Sequence, residues 1–253
     1  MSDKVSKQIH FNVELYHKLA LIWDEPLAAM CLRMFSRYLP SHPTSILDIN
    51  SSTGRQLNAL YPICSDCVGV DYRPLMISYA QSKYPQLQFH LGDMHSFRLQ
   101  RSFDVILCLR WALSHALTDE DVDKILQTCA DHAQPGTLLI LEILNAAGYV
   151  PEREFKQTRE LKSGKGHIQY KFQRTENFLV GQRLWQVSGK NVIEDYSKYR
   201  LFSPIDIQNL LFTKGFQVIG MFDNPDLLES PLCGTELCVA AIFIGQNSIN
   251  SVF

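Results

Sequence analysis

Three aspartates stand at the ends of short apolar runs, and their placement is the first chemical signal in the chain. Asp48 follows Ile46-Leu47, Asp71 closes Val68-Gly69-Val70, and Asp93 leaves Phe89-His90-Leu91-Gly92. Each alone reads as a cap or turn residue. Together they describe an adenosine site. A carboxylate after the second run can accept hydrogen bonds from both ribose hydroxyls. One after the third can accept from the exocyclic adenine amine while a neighbouring backbone N–H donates to the ring. A fourth run ends in Leu109-Arg110-Trp111, and a fifth carries Glu142.

The turn after Asp48 reads Ile49-Asn50-Ser51-Ser52-Thr53-Gly54 and holds a single glycine. Dehydrogenases need G-x-G-x-x-G at this place so that backbone can approach a pyrophosphate. A nicotinamide enzyme is therefore the weaker reading, and a cofactor without phosphate suits the loop better. Asn tolerates positive φ best among non-glycine residues, and Ser is a small polar substitute.

The elements that must position these residues follow from periodicity. Apolar residues over 11–40 recur at helical spacing on both sides of Pro26, which predicts two helices with Pro26 in the first turn of the second. From residue 45 strand-like runs alternate with helical ones: SILDIN, RQLNALYP, CVGVDY, PLMISYAQSKYP, LQFHLGD, FDVILCL, TDEDVDKILQTCADHA and PGTLLILEI. Pro74 opens one helix, and Thr118 caps another whose first turn is acidic. Nearly all-apolar strands between helices predict an α/β fold with a doubly wound, mostly parallel sheet covered on both faces.

Residues 150–202 change texture, with alternation in HIQYKFQRT, FLVGQRLWQVS and VIEDYSKYRLF and turn residues at Gly181 and Ser188-Gly189-Lys190. This predicts a small antiparallel insertion. The helix SPIDIQNLLFTKG and the strands FQVIGMF and ELCVAAIFIG then bring the sheet to seven strands, with the last two antiparallel to one another.

Composition narrows the function classes. The chain has 253 residues, 46% apolar and 20% charged, with a formal net charge of -2. No block of Lys and Arg with interleaved aromatics occurs, so no nucleic-acid partner is expected. No run is long and apolar enough to span a bilayer, and the first residues lack a signal-peptide core, so a cytoplasmic protein without a membrane partner is expected. Seven cysteines, an odd number, suit reduced thiols. Cys64-Ser65-Asp66-Cys67 runs into a strand with no second pair, which favours structural thiols over a redox pair or metal site. No metal is expected.

The order ILDxxxxTG, GVDYRPLMISYA, FHLGDMHSF, FDVILCL and PGTLLILE resembles the class I S-adenosylmethionine-dependent methyltransferases, over roughly residues 45–145 by motif. YHKLALIWDEPLA and the polar insertion resemble the small-molecule branch: the amino-sugar N,N-dimethyltransferases and the sarcosine- and glycine-type amine methyltransferases. The resemblance implies a Rossmann-like fold and one methyltransferase domain over 1–253. In it, 1–40 are lid helices, 41–149 the cofactor core, 150–202 a substrate cap and 203–247 the closing helix and strands. S-adenosylmethionine is the implied cofactor, and a small-molecule amine or hydroxyl in natural-product biosynthesis the implied acceptor.

By that resemblance Asp71 binds the ribose, Asp93 and Met94 the adenine, and Asp48 with Gly54 the methionine end, where Asn50 and Ser51 sit in the loop. Ser51, Ser52 and Thr53 hydroxyls are candidates for the methionine ammonium or carboxylate. Tyr72 and Leu109 pack on adenine or ribose. Arg33 resembles an arginine that pairs with the cofactor carboxylate, and equally reads as a solvated helix charge. His115 stands where relatives place acceptor-site residues. Its ordinary pKa near 6.5 suits a base, and a packed or capping histidine is the plainer alternative. Tyr16 resembles a tyrosine that closes over the methyl group, or is core. Arg110 and Trp111 flank the methyl and Glu142 holds a cationic acceptor. Tyr170, Trp185, Tyr196 and Tyr199 form either an aromatic wall or the insertion's own core. The glycine-poor loop leaves a second reading open, a methyltransferase-like binding or regulatory protein without catalysis. The oligomeric state is not read.

Overall fold

The computed structural model describes residues 13–20, 24–149, 152–161, 164–187 and 193–245. Helices α1 (Val13–Ala20) and α2 (Asp24–Tyr38) precede the sheet, and Pro26 lies in the first turn of α2 as its fixed φ favours. Then come β1 (Ser45–Ile49), α3 (Arg55–Leu60), β2 (Asp66–Asp71), α4 (Pro74–Lys83), β3 (Gln88–Leu91), β4 (Val105–Cys108), α5 (Asp119–Asp131) and β5 (Leu138–Leu144). Thr118 Oγ1 accepts from Asp121 N at the start of α5 (3.1 Å), as expected for a cap.

The insertion contributes β6 (Glu152–Leu161), β7 (Gly164–Thr175), β8 (Phe178–Val187) and β9 (Ile193–Arg200). The chain closes with α6 (Pro204–Thr213), β10 (Phe216–Phe222) and β11 (Glu236–Phe243). The main sheet runs β3-β2-β1-β4-β5-β11-β10. Its first five strands are parallel, while β11 lies antiparallel to both β5 and β10. β1 and β4 are buried along their whole length because helices cover both faces, and a separate apolar cluster fills each face. Strand order reverses between β1 and β4, so their carboxyl ends diverge into a crevice.

The insertion is a four-stranded antiparallel sheet in the order β6-β7-β8-β9. Its first strand, EREFKQTREL, carries little apolar alternation and is an addition to the strands that the sequence predicts. Gly181 is a correction: the sequence predicts it in a turn, but it sits inside β8 opposite Phe172 and Ser197. A Cβ there would meet the Phe172 ring at 2.8 Å, so the glycine makes room for that ring. The turn expected at Ser188-Gly189-Lys190 lies outside the described residues. The insertion leaves and rejoins the sheet at one joint, where Phe202 N donates to Leu144 O (3.0 Å) and Ala146 N to Phe202 O (2.9 Å). Arg174 Nη1 ties the same joint by donating to Ala146 O (2.6 Å) and Tyr149 O (2.8 Å).

All seven cysteines are free thiols, six of them buried. Cys67 Sγ donates to Cys64 O (3.0 Å). No described helix is long and apolar enough to cross a membrane, and the described residues hold no cluster of metal-ligating side chains.

Candidate active site

The loop leaving β1 keeps the shape of a glycine loop without its glycines. Asn50 (φ 67°), Ser52 (φ 54°) and Gly54 (φ 75°) all adopt left-handed conformations. Only the last is forced to be glycine by space, since a Cβ at Gly54 would come within 2.3 Å of the Phe89 ring. Ser51 N donates to Val70 O (2.9 Å), and Ser52 N to Asp71 Oδ2 (2.9 Å). Asp71 also accepts from Arg73 N through Oδ1 (2.9 Å), so one buried carboxylate pins the ends of two neighbouring strands.

Above the β1–β4 crevice lies a cavity of about 780 Å³. Asp48, Asn50, Ser51, Tyr72, Asp93, Met94 and Leu109 line it from the side of β1–β4, joined by Tyr16 from α1. Asp71 lines a small adjoining recess with Tyr72, Gly92 and Met94. Asp93 Oδ1 accepts from His95 N (2.9 Å) and lies 2.6 Å from its Nδ1, contacts that hold its carboxyl below the usual range. Gly54 lies behind the loop, off the cavity. Of the two readings open for Arg33, the structure matches the solvated helix charge: its Nε and Nη2 donate to Pro225 O (3.0 and 2.6 Å), it pairs with Asp226, and it is not among the lining residues.

The other side of the cavity is built by the β4 exit, β5, β11 and the insertion. Arg110 (φ 56°) and Trp111 (φ 61°) are both left-handed. Arg110 N donates to Glu142 Oε2 (2.6 Å), and Trp111 N to Glu142 O (3.1 Å). Trp111 meets Tyr199 edge to face at 5.8 Å, and His115 lies 4.9 Å from the same ring. Tyr170, Trp185 and Tyr199 serve both expected roles: they form the insertion's core and wall the cavity. Tyr196 lines it from the surface, its hydroxyl bonded to Glu194.

Electrostatics divides the titratable groups. Burial, and then Asp71, pushes the Asp48 carboxyl up to about 8. Burial raises Glu142 to about 7, with Glu236 adding and Arg110 opposing. His115, an exposed residue that lines the cavity, moves the other way: the protein around it, then Arg183 and Arg73, lower it to about 4. It is neutral at pH 7, and its conjugate acid is too strong to retain a proton taken from an ammonium. Burial raises the Tyr16 phenol, but Arg55, Arg110, Ser52 and Arg73 outweigh it and leave the group below its ordinary value.

Sequence reasoning missed two groups. Arg183, which lines the cavity from β8, is held from behind by buried Asp195 and by Ser197 Oγ (2.9 Å). Its signal was the alternation Gly181-Arg183-Trp185, which places an arginine on the same face as a core tryptophan. The second group is His17 and Arg55, which join α1 to the β1 loop and carry no local sequence signature; Thr53, expected at the methionine end, bonds His17.

The donor set fits S-adenosylmethionine. Buried carboxylates whose pKa values are high without a cation suit a sulfonium and an α-ammonium, aromatic faces attract both, and buried Ser51 Oγ has no protein partner. The volume of about 780 Å³ is that of a small-molecule site.

Residues 46–136 match the family model described as a methyltransferase domain. Over 99 residues the chain is 27% identical to a dTDP-3-amino-3,4,6-trideoxy-alpha-D-glucopyranose N,N-dimethyltransferase of Streptomyces venezuelae, covering 39% of this chain and 42% of that protein. The match thus spans about two fifths of the curated relative's length. Among solved structures, an S-adenosylmethionine-dependent methyltransferase from Clostridium acetobutylicum superposes with a TM-score of 0.77 at 15% identity, covering 91% of this chain and 99% of that one. A SAM-bound amino pentose methyltransferase from Micromonospora echinaspora gives 0.75 at 18% identity, covering 96% and 100%. At these identities the likenesses show the fold alone, and they extend it beyond the matched stretch to nine tenths or more of the chain.

Proposed function

We propose, taking the methyltransferase domain matched over residues 46–136 as the premise, that the chain binds S-adenosylmethionine in the β1–β4 crevice and methylates the amine nitrogen of a small, sugar-like molecule. The observation that carries this reading is the continuity of one cavity from the carboxylate-bearing strand ends to the aromatic wall of the insertion. The amino-sugar class comes from the relatives and is a proposal for this chain. A non-catalytic role is the weaker reading, because Asn50 and Ser52 hold the loop in the conformation glycine would take.

The cofactor, when bound, supplies a methyl group already activated on a sulfonium. The chain's own work is then orientation, which can lower the barrier by roughly 7–11 kcal/mol. Asp71 holds the ribose end and Asp48 with the loop the methionine end. Arg110, Trp111, Tyr170, Trp185 and Tyr199 exclude water around the acceptor, and Arg183 orients it. Glu142, ionising near neutral pH, accepts the proton that an ammonium must lose before its nitrogen can attack. A carboxylate of that strength matches an amine and is far too weak to deprotonate a hydroxyl, so N-methylation is favoured over O-methylation. His115 serves as a neutral hydrogen-bond partner for the acceptor.

Calorimetric titration with S-adenosylhomocysteine, followed by mass spectrometry of amino sugars incubated with the protein and S-adenosylmethionine, tests the reading. Saturable binding and mass gains of one or two methyl groups are expected. Absence of binding by either cofactor form sinks it.

A further inference from the structure

The β1 loop has a second face, turned away from Asp71 and toward α1. His17 Nδ1 and Thr53 Oγ1 are hydrogen-bonded at 3.1 Å, both side chains buried. Arg55 Nη1 donates to the His17 carbonyl at 3.0 Å, and its guanidinium lies 5.5 Å from the Tyr16 ring. The Ser52 side chain helps lower the Tyr16 phenol. Two side chains of this segment, at positions 53 and 55, thus hold His17, and the second also lies over the Tyr16 ring. The His17 ring also packs on Tyr79 of α4 at 5.0 Å.

We infer that His17 is a positioning residue: with Thr53 and Arg55 it latches α1 onto the cofactor loop, sets Tyr16 over the cavity, and must release before a cofactor enters or leaves. α1 has eight residues, too few to be stable as an isolated helix, so its place depends on tertiary contacts of this kind. The His17 ring is neutral, its pKa lowered to about 4 first by burial and then by Arg55 and Lys83, so the buried bond carries no uncompensated charge. Thr53 Oγ1 has no other partner among the described residues. The loop that grips the cofactor from below therefore also grips the helix above it. Removing the latch should free α1 without disturbing the sheet.

The cofactor half of this inference rests on the methyltransferase reading; the latch itself does not, and the test separates them. Hydrogen exchange of the ligand-free protein is measured first. His17→Ala and Thr53→Val should each raise exchange of the amides in 13–20 by about 3- to 10-fold, the worth of one buried hydrogen bond. His17→Asn, whose side chain reaches the position of Nδ1, should restore protection. The double variant should exchange no faster than either single one. Unchanged exchange in both singles overturns the latch. Should His17→Ala fail to fold, Thr53→Val, which keeps its shape, decides alone. Stopped-flow binding of S-adenosylhomocysteine comes second. Association and dissociation should both accelerate by about the same factor, as expected when a gate is opened. Acceleration of dissociation alone, or of neither rate, overturns the gating role. Absence of binding to the unaltered chain overturns the methyltransferase reading, while the exchange result still decides the latch.

Discussion

Strands β1 and β4 lie side by side where strand order reverses, and both leave the sheet through two non-glycine residues at positive φ. At β1 these are Asn50 and Ser52; at β4 they are Arg110 and Trp111. Such conformations cost on the order of 1–3 kcal/mol each, least for Asn. The two loops use the same backbone device for opposite ends. The β1 loop keeps its residues small and turns its amides inward, so that Ser52 N meets Asp71 and Ser51 N meets Val70. The β4 loop ties its amides to Glu142 and presents an arginine and a tryptophan to the acceptor side. One loop spends its amides on its neighbour strand, the other on Glu142. On the proposed reading, the first would face the cofactor and the second the acceptor.

The largest expected effect breaks the first loop at its anchor. Asp71→Ala removes two hydrogen bonds to a charged acceptor along with the proposed ribose partner. S-adenosylhomocysteine affinity measured by calorimetry should fall on the order of 1,000-fold; an unchanged affinity would mean that the loop stands without Asp71. A smaller effect breaks the second loop at Glu142. Its competent form is the carboxylate and its pKa is raised to about 7, so kcat/KM should rise with pH through about 7 and level off above. Glu142→Gln should lower the plateau about 100-fold and flatten that acid limb. A variant that keeps the limb assigns it to another group.

The smallest effect sharpens the comparison itself. Arg110→Gly should stabilise the fold by about 1 kcal/mol in urea unfolding while losing turnover, because arginine fits the left-handed region poorly. Asn50→Gly should gain only about a few tenths, since asparagine already tolerates that region. Equal gains at the two sites would remove the proposed difference in how the loops carry strain.

What the sequence showed in advance follows the same division. Strands β1 to β5 are short apolar runs whose ends are marked by Asp48, Asp71, Asp93 and Arg110, so the parallel sheet and its cofactor side are legible from period and punctuation. Asn50 and Ser52 are legible as glycine substitutes because asparagine and serine are among the few types that suit the role. β6 is not legible, because a polar sheet stabilised by its partner strand needs no apolar alternation of its own. Gly181 looks like a turn because its actual task, clearing the Phe172 ring, is set by a strand pairing that local sequence does not encode. The two readings of Arg33 stay undivided in the sequence because its carbonyl partner at Pro225 lies 192 positions away. Free side-chain values make His115 the better base near neutral pH, whereas in the fold His115 is lowered to about 4 and Glu142 raised to about 7, a shift that local sequence does not encode.

The joint at Leu144, Ala146 and Phe202 has a consequence for redesign. The insertion departs and returns there through paired backbone bonds, with Arg174 fastening it to the exit of β5, while Arg200 on Asp119 and Tyr199 against Trp111 and His115 hold it to the core by side chains. Replacing residues of β6–β9 that face the cavity should therefore leave the backbone of β1, its loop and Asp71 in place, which on the proposed reading would change the acceptor side alone.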